Sequence, residues 1–256
     1  MKRLNSVGKL WHIAEAFFAV AFFVSIYVFI KTQLSEQRVL REESTAMVNL
    51  KYILSDSTKS ETTLVLSVLQ NTEFQGLLKI NPDFVGIIEY AEDASLYVCH
   101  TDNNSYYANH RFDGTFDEAG MIFLDADCSL NPESDQLILY GHNMRNGSRF
   151  GKLKRYQDRE YLLKHPIIRF ATLNGDYEYK PFAVILTSVG DEFYKIFRQI
   201  QFENEEQFYA FTEYAKLCSL YEIPTDVSYG DKILTLMTCS DDVENGRLIV
   251  MCIRSS

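Results

Sequence analysis

Eighteen consecutive residues, Ile13 to Ile30 (IAEAFFAVAFFVSIYVFI), carry a single charge, Glu15. No other stretch constrains the folding of this chain as strongly. At about 1.5 Å per residue such a run forms a helix of roughly 27 Å, close to the ~30 Å of bilayer hydrocarbon. It is apolar on every face, unlike the surface helix of a globular domain. Glu15 falls in the first turn, within reach of headgroups. Lys2, Arg3 and Lys9 precede the run, so the positive-inside rule keeps the N-terminus cytoplasmic and places the rest outside. A cleaved signal peptide wants a small-x-small site after the apolar run, and the residues that follow, KTQLSEQR, offer none. The expectation is a single-pass anchor over residues 1–31 in the cell membrane, with an extracellular remainder.

The whole chain has a formal charge of −10, and residues 32–256, with 21 Lys and Arg against 34 Asp and Glu, carry about −13. This sign argues against a nucleic-acid partner. It also predicts that the acidic part is repelled by anionic surfaces and meets the lipid through the anchor alone. With 12 Gly, 5 Pro and 5 Cys in 256 residues, collagen, low-complexity disorder and a disulfide mini-scaffold are excluded. The cysteines (Cys99, Cys128, Cys218, Cys239, Cys252) are odd in number and none are spaced C-x-x-C, so neither a complete disulfide framework nor a zinc site is expected. No clustered carboxylate site stands out either, and the expectation is no metal and no cofactor.

Residues 32–80 read as an N-terminal helical segment. Glu36 to Leu54 is charged and Pro-free, and Ser60 suits the cap of a second helix with Leu64, Val65, Val68 and Leu69 on one face. Asn81-Pro82 ends it, because the residue before proline is pushed out of the α region. Beyond Pro82 come eight short β-branched runs, at 84–90, 96–99, 121–124, 136–140, 166–172, 179–189, 232–238 and 247–253, separated by turn signals such as Asn174-Gly175 and Asn245-Gly246. One helix is expected over Glu203 to Tyr221, with Phe208, Phe211, Ala215 and Cys218 on a stripe, and a shorter one near Phe150–Leu163. Eight strands with few helices predict a mainly β barrel or sandwich over residues 81–256.

Cys239 closes the run L-T-L-M-T-C and is followed by polar SDDVENG. Strand ends are where reactive groups become accessible on a rigid scaffold. Cys99, Cys218 and Cys252 lie in apolar periodic segments, where a buried inert thiol is usual, whereas Cys128 lies in a polar loop and is the other exposed candidate. A thiol nucleophile wants an imidazole nearby. His142 follows another apolar strand, in LILYGHNMRNGSRF, although a histidine taken singly is more often structural. A free thiol titrates near ~8.5 and an imidazole near ~6.5, which leaves a few per cent thiolate at neutral pH unless the site stabilises the ion pair. Arg247 opens the last strand, eight residues after Cys239. A hairpin between the two strands folds that guanidinium back beside the thiol, where it can hold an oxyanion. Spacing alone fits an ordinary surface arginine equally well. Asp241 or Asp242 could orient His142, though acids in a turn are usually just solvated.

L-T-L-M-T-C with an arginine in the next strand and Y-G-H-N-M after an upstream strand resembles the sortases, membrane-anchored cysteine transpeptidases of Gram-positive bacteria. Their T-L-x-T-C pattern is met by Thr235, Leu236, Met237, Thr238 and Cys239. N-P-D-F-V-G (81–86), D-N-x-x-Y-Y (102–107), G-M-I-F-L-D (120–125) and Y-G-H-N-M-R-N-G (140–147) are similar to class B. Met237 is a departure, since class B members often carry Ser there. The resemblance implies a closed eight-stranded sortase β-barrel. Cys239 attacks a threonine carbonyl within the C-terminal sorting motif of a secreted protein, and a thioester forms. A peptidoglycan-precursor amine resolves it, with His142 moving protons and Arg247 holding the oxyanion. It further implies Asn103, Tyr107 and Thr238 in substrate binding. Three other outcomes stay open: pilin polymerisation with a lysine acceptor, a thiol hydrolase or protease with water as acceptor, and a membrane-anchored binding domain without activity.

Overall fold

Alternating and continuous apolar runs after Pro82 pair into strands because each can bury at least one face against its neighbours. The computed structural model describes Lys31 and residues 73–91 and 94–255. The apolar run 13–30 and most of the 32–80 segment lie outside the described residues. Among the described residues no helix is long and apolar enough to cross a membrane.

Helix α1 covers 73–80 and stops before Asn81-Pro82. The strands are β1 (Phe84–Ala91), β2 (Ala94–His100), β3 (Ile122–Leu124), β4 (Gln136–Tyr140), β5 (Ile168–Thr172), β6 (Gly175–Ser188), β7 (Ile233–Ser240) and β8 (Gly246–Arg254). Helices α2 (Arg159–Lys164), α3 (Glu192–Ile196) and α4 (Glu205–Leu217) interrupt the later strands. The strands close into a barrel in the order β1-β2-β3-β4-β7-β8-β6-β5. Closure leaves no sheet edge exposed. Two neighbours run parallel, β2 with β3 and β4 with β7, and the remaining pairs are antiparallel.

The core on the two sides of the barrel wall includes Ile88, Val98, Ile138, Leu236, Ile249 and Val250, each at most 1% exposed. Each such aliphatic side chain contributes about 1.5–3 kcal/mol relative to an exposed one. A second cluster joins α1 to the barrel: Phe74 meets Phe84 edge-to-face at 5.0 Å, and Leu77, Ile87, Cys99 and Phe112 are among its other members. In α4 the expected stripe is buried through Phe208, Phe211 and Ala215, with Asn204 capping the helix by accepting from the Gln207 amide.

The structure differs from the sequence reading in four places. β6 starts at Gly175 rather than 179, because the tight Asn174-Gly175 turn pairs polar residues 175–178 with β5 before the apolar run begins. The helix expected near Phe150–Leu163 is broken into a 3₁₀ turn (Leu153–Gln157) and α2, because the Asp158 side chain caps a new helix by accepting from the Glu160 amide. β7 runs on to Ser240, so Cys239 lies inside the strand. Cys128, expected to be exposed, is 3% exposed and donates its Sγ–H to the Gln136 carbonyl. The polar loop around it folds inward over the end of the barrel.

Asp125, just past β3, is fully buried and accepts from Arg198 Nε and Nη2, both at 3.0 Å, and from the Tyr140 hydroxyl at 2.5 Å. Burial by itself raises this carboxyl, but the Arg198 and Tyr140 hydrogen bonds and the Asp127 amide outweigh it and hold it below the usual carboxylate range. The cluster ties the end of β4 to the chain after α3. A depressed carboxyl contributes stability that is present above its unfolded value and lost as pH falls through its folded one. Asp125→Asn is therefore expected to cost about 1–3 kcal/mol in urea melts at neutral pH, with the deficit shrinking below pH ~4 as the native carboxyl protonates. A deficit that stays constant down to acid pH contradicts the account.

Candidate active site

The parallel pairing of β4 with β7 sets Tyr140 opposite Met237. The ladder continues beyond the strand: the Gly141 amide donates to the Met237 carbonyl at 3.2 Å, and the Thr238 hydroxyl donates to the Gly141 carbonyl at 2.7 Å. His142 then stands two residues past Tyr140, as Cys239 stands two past Met237. In the antiparallel pairing of β7 with β8, Cys239 is directly opposite Arg247. Directly opposed residues share a face, with Cβ atoms about 5 Å apart. Three neighbouring strands thus bring His142, Cys239 and Arg247 to one end of the barrel, with Cys239 exposed and the other two half-buried.

Each of the three is fixed by something specific. Gly141 allows the turn into His142: a Cβ there would lie 2.3 Å from Ile122 Cδ1 and 2.8 Å from the Phe150 ring. His142 Nε2 is 2.7 Å from the Ala108 carbonyl oxygen. A carbonyl only accepts, so Nε2 carries the proton and Nδ1 is the ring nitrogen left to exchange one. Arg247 Nη1 donates to the Gly246 carbonyl at 2.8 Å and the Asn245 carbonyl at 3.3 Å, and its guanidinium carbon lies 5.9 Å from the centre of the Tyr194 ring. Asn245 adopts φ 51°, and a Cβ on Gly246 would lie 2.6 Å from the Ser240 carbonyl. The Asn245-Gly246 turn therefore needs these residue types. The hairpin is pinned from below by Asp242, which accepts from Gln157 and from Ser240, both at 2.9 Å. The Gln157 bond first, then the Ser240 bond, holds its carboxyl below the usual range.

Three of the remaining sequence candidates are held by hydrogen bonds of their own. Tyr107 is 2% exposed, and its hydroxyl donates to Asp83 at 2.9 Å and accepts from Asn81 at 2.7 Å. Buried inside a polar network, it braces the loop after β2. Asn103 is exposed, but its carboxamide oxygen accepts from the Ser105 and Tyr106 amides, so it shapes the turn. Thr238 is 2% exposed and its hydroxyl donates to the Gly141 carbonyl, so it locks β7 to β4. Asp241 is exposed in the hairpin turn. The hydrogen bond made by His142 is to Ala108, and no carboxylate bonds its ring among the described residues. The orienting role expected of an acid is taken by a backbone carbonyl, which carries no residue-type signal. Tyr194 was missed for a similar reason, since nothing in the chain order announces that α3 folds over β8. No cluster of three or more His, Cys, Asp or Glu placed to hold a metal occurs among the described residues.

No family model matches the chain. It is 32% identical to sortase B of Listeria monocytogenes over 181 residues, covering 70% of this chain and 72% of that protein. It is 31% identical to sortase B of Staphylococcus aureus over 170 residues, covering 66% and 68%. The chain belongs to the sortase B family. Among solved structures it is similar to Clostridium perfringens sortase B (TM-score 0.67, 25% identity, 72% of this chain and 100% of that one). It is also similar to an S. aureus sortase B–substrate complex and to a sortase B complexed with triglycine (each TM-score 0.66, 28% identity, 73% and 86%). The sortase barrel is the one described above, and the protein is a cysteine transpeptidase of the sortase B type.

Within this sortase the five thiols are not equivalent. Burial pushes Cys99 and Cys128 up to about 12 and raises Cys252 and Cys218 as well, whereas Cys239 is the exposed one. A thiol-directed alkylating reagent under native conditions is expected to modify Cys239 first, with Cys99, Cys128 and Cys252 modified only after unfolding, as read by peptide mapping. Labelling of Cys128 at the rate of Cys239 contradicts this arrangement.

Proposed function

We propose that Cys239, His142 and Arg247 form the catalytic set and that the enzyme joins secreted proteins to a cell-wall amine. The observation that carries this reading is the register: an exposed thiol directly opposite an arginine, with a histidine two residues past the end of the adjoining parallel strand.

The Cys239 thiol gives its proton to His142 Nδ1, and the thiolate adds to the carbonyl carbon of a threonine in the C-terminal sorting motif. The oxygen of the tetrahedral adduct becomes negative, and Arg247, two of whose nitrogens stay outside the turn it bonds, neutralises it. The carbon–nitrogen bond breaks as His142 Nδ1 gives a proton to the departing amine, leaving a thioester on Cys239. An acceptor amine attacks that thioester and passes its proton back to Nδ1. The carbon–sulfur bond breaks, a new amide forms and the thiolate returns. Nδ1 serves because Nε2 is held by Ala108 throughout. A substrate complex and a triglycine complex among the similar structures support a peptide donor and an amine acceptor for this chain. The apolar run 13–30, with basic residues before it, supports a cell-membrane location with the barrel outside. An anchor there keeps the enzyme close to lipid-linked precursor and raises its effective concentration.

The exposure of Cys239 to water favours hydrolysis as a competing fate of the thioester. Product analysis of a sorting-motif peptide with and without triglycine separates the two. Amide product in the presence of amine supports transfer, and exclusive release of free acid supports the hydrolase. Cys239→Ala is expected to abolish cleavage of the peptide. His142→Ala is expected to lower kcat/KM roughly 100- to 10,000-fold and Arg247→Ala roughly 100- to 1,000-fold. Undiminished cleavage by Cys239→Ala overturns the proposal.

A further inference from the structure

The segment that begins at His142 is charged unlike the rest of the molecule. Residues 143–164 hold seven Lys and Arg against two acids, Asp158 and Glu160, within a region of the chain where carboxylates prevail. The segment is one wound unit. Phe150 donates its amide to the His142 carbonyl at 3.0 Å, and Phe150, Leu153, Tyr156 and Leu162 are buried beneath it. Its outer side carries Arg145, Lys154, Arg155, Arg159 and Lys164, all exposed. None of these five forms an ion pair among the described residues, although other cations do, such as Arg198, Lys232 and Arg254.

The carboxylates that face these cations are otherwise engaged or few. Asp158 caps α2 through the Glu160 amide. Asp242, which senses Lys154, accepts from Gln157 and Ser240. Asp158 and Glu160, both exposed, are the only acids of residues 143–164, against seven Lys and Arg. Arg155 leans over the Tyr161 ring at 5.8 Å, which leaves its charge in place. Beside Lys164, Leu163 is 49% exposed. Like charges held together without partners raise the free energy of an isolated domain, and an anionic surface relieves that repulsion. A pocket for a small anion would gather cations inward, but here they are spread over an exposed face with an apolar side chain among them. That is the composition of an interfacial segment, with basic residues for headgroups and an aliphatic group for the acyl boundary.

We infer that residues 145–164 are a docking face for an anionic lipid leaflet, which sets the mouth of the barrel towards the membrane. Contact with lipid is then not confined to the N-terminal run, as the overall charge suggested, because the charge is segregated. Each basic side chain near such a leaflet multiplies binding by about fivefold. Because His142 is bonded into this unit, docking turns the catalytic end towards the surface where a lipid-linked amine resides. That consequence rests on the proposed function, whereas the docking itself does not.

The test uses the full chain reconstituted into vesicles of phosphatidylcholine alone or of phosphatidylcholine and phosphatidylglycerol in equal parts, so that any contribution of the N-terminal run is common to both. Amide hydrogen exchange over 143–164 is the readout. Exchange is expected to slow severalfold on the anionic vesicles only. The protection should disappear at about 1 M salt, where the Debye length is ~3 Å, and in the combined variant Lys154→Glu, Arg155→Glu, Arg159→Glu, Lys164→Glu. That variant should cleave a soluble sorting-motif peptide as the parent does, which shows that it folds. Equal exchange on the two vesicles, or protection that survives charge reversal, overturns the inference. A protein that docks but fails to cleave leaves the docking standing and removes the catalytic reading instead.

Discussion

The parallel pairing of β4 with β7 is the constraint on which the site depends. Parallel strands end on the same side, so residues that follow both are delivered to one end of the barrel. The two strands are far apart in the chain: the Thr238–Gly141 hydrogen bond spans 97 positions. Everything between them, including β5, β6 and three helices, must fold as the crossover. Leu137, Ile138 and Leu139 are consecutive and at most 2% exposed, so both faces of the seam are buried, and a slip by one residue would break the buried Thr235–Gln136 and Thr238–Gly141 hydrogen bonds across it. Those bonds thus hold the alignment of His142 with Cys239.

Around that seam the protein uses backbone atoms for the fine positioning. The Ala108 carbonyl sets the protonated nitrogen of His142, and the Asn245 and Gly246 carbonyls hold Arg247. Polar side chains that look catalytic in the chain serve these supports. Thr238 joins the strands, Tyr107 braces the loop that carries Ala108, and Asp242 pins the hairpin beneath Cys239. Such groups are rigid because they are buried or doubly bonded, and rigid supports favour electrostatic stabilisation without reorganisation at the moment of reaction.

Most of the fold was legible in the chain because period-2 runs, Asn-Gly turns and an isolated amphipathic stripe are local signals. Strand limits were missed where polar residues pair outward, as at 175–178, and a helix was misread where Asp158 re-caps it. Within the site, Cys239, His142 and Arg247 stood out by residue type and by position at strand ends. Thr238, Tyr107 and Asn103 came in through the family resemblance and Asp241 through residue type, and burial or internal hydrogen bonding gives the first three structural tasks as well. A histidine held by a carbonyl leaves no trace in sequence, because any residue could supply that oxygen. The inward turn of the Cys128 loop likewise depends on tertiary packing.

The convergence of strands β4, β7 and β8 is most directly tested by replacing His142 with cysteine, oxidising the folded protein and mapping the disulfides by mass spectrometry. Neighbouring parallel strands place Cα atoms about 5 Å apart, within the range a disulfide spans. A bond between position 142 and Cys239, absent when the chain is oxidised unfolded at low concentration, is the expected result. If both thiols stay free in the folded protein while each reacts readily with an external reagent, the two residues do not share a site and the account fails.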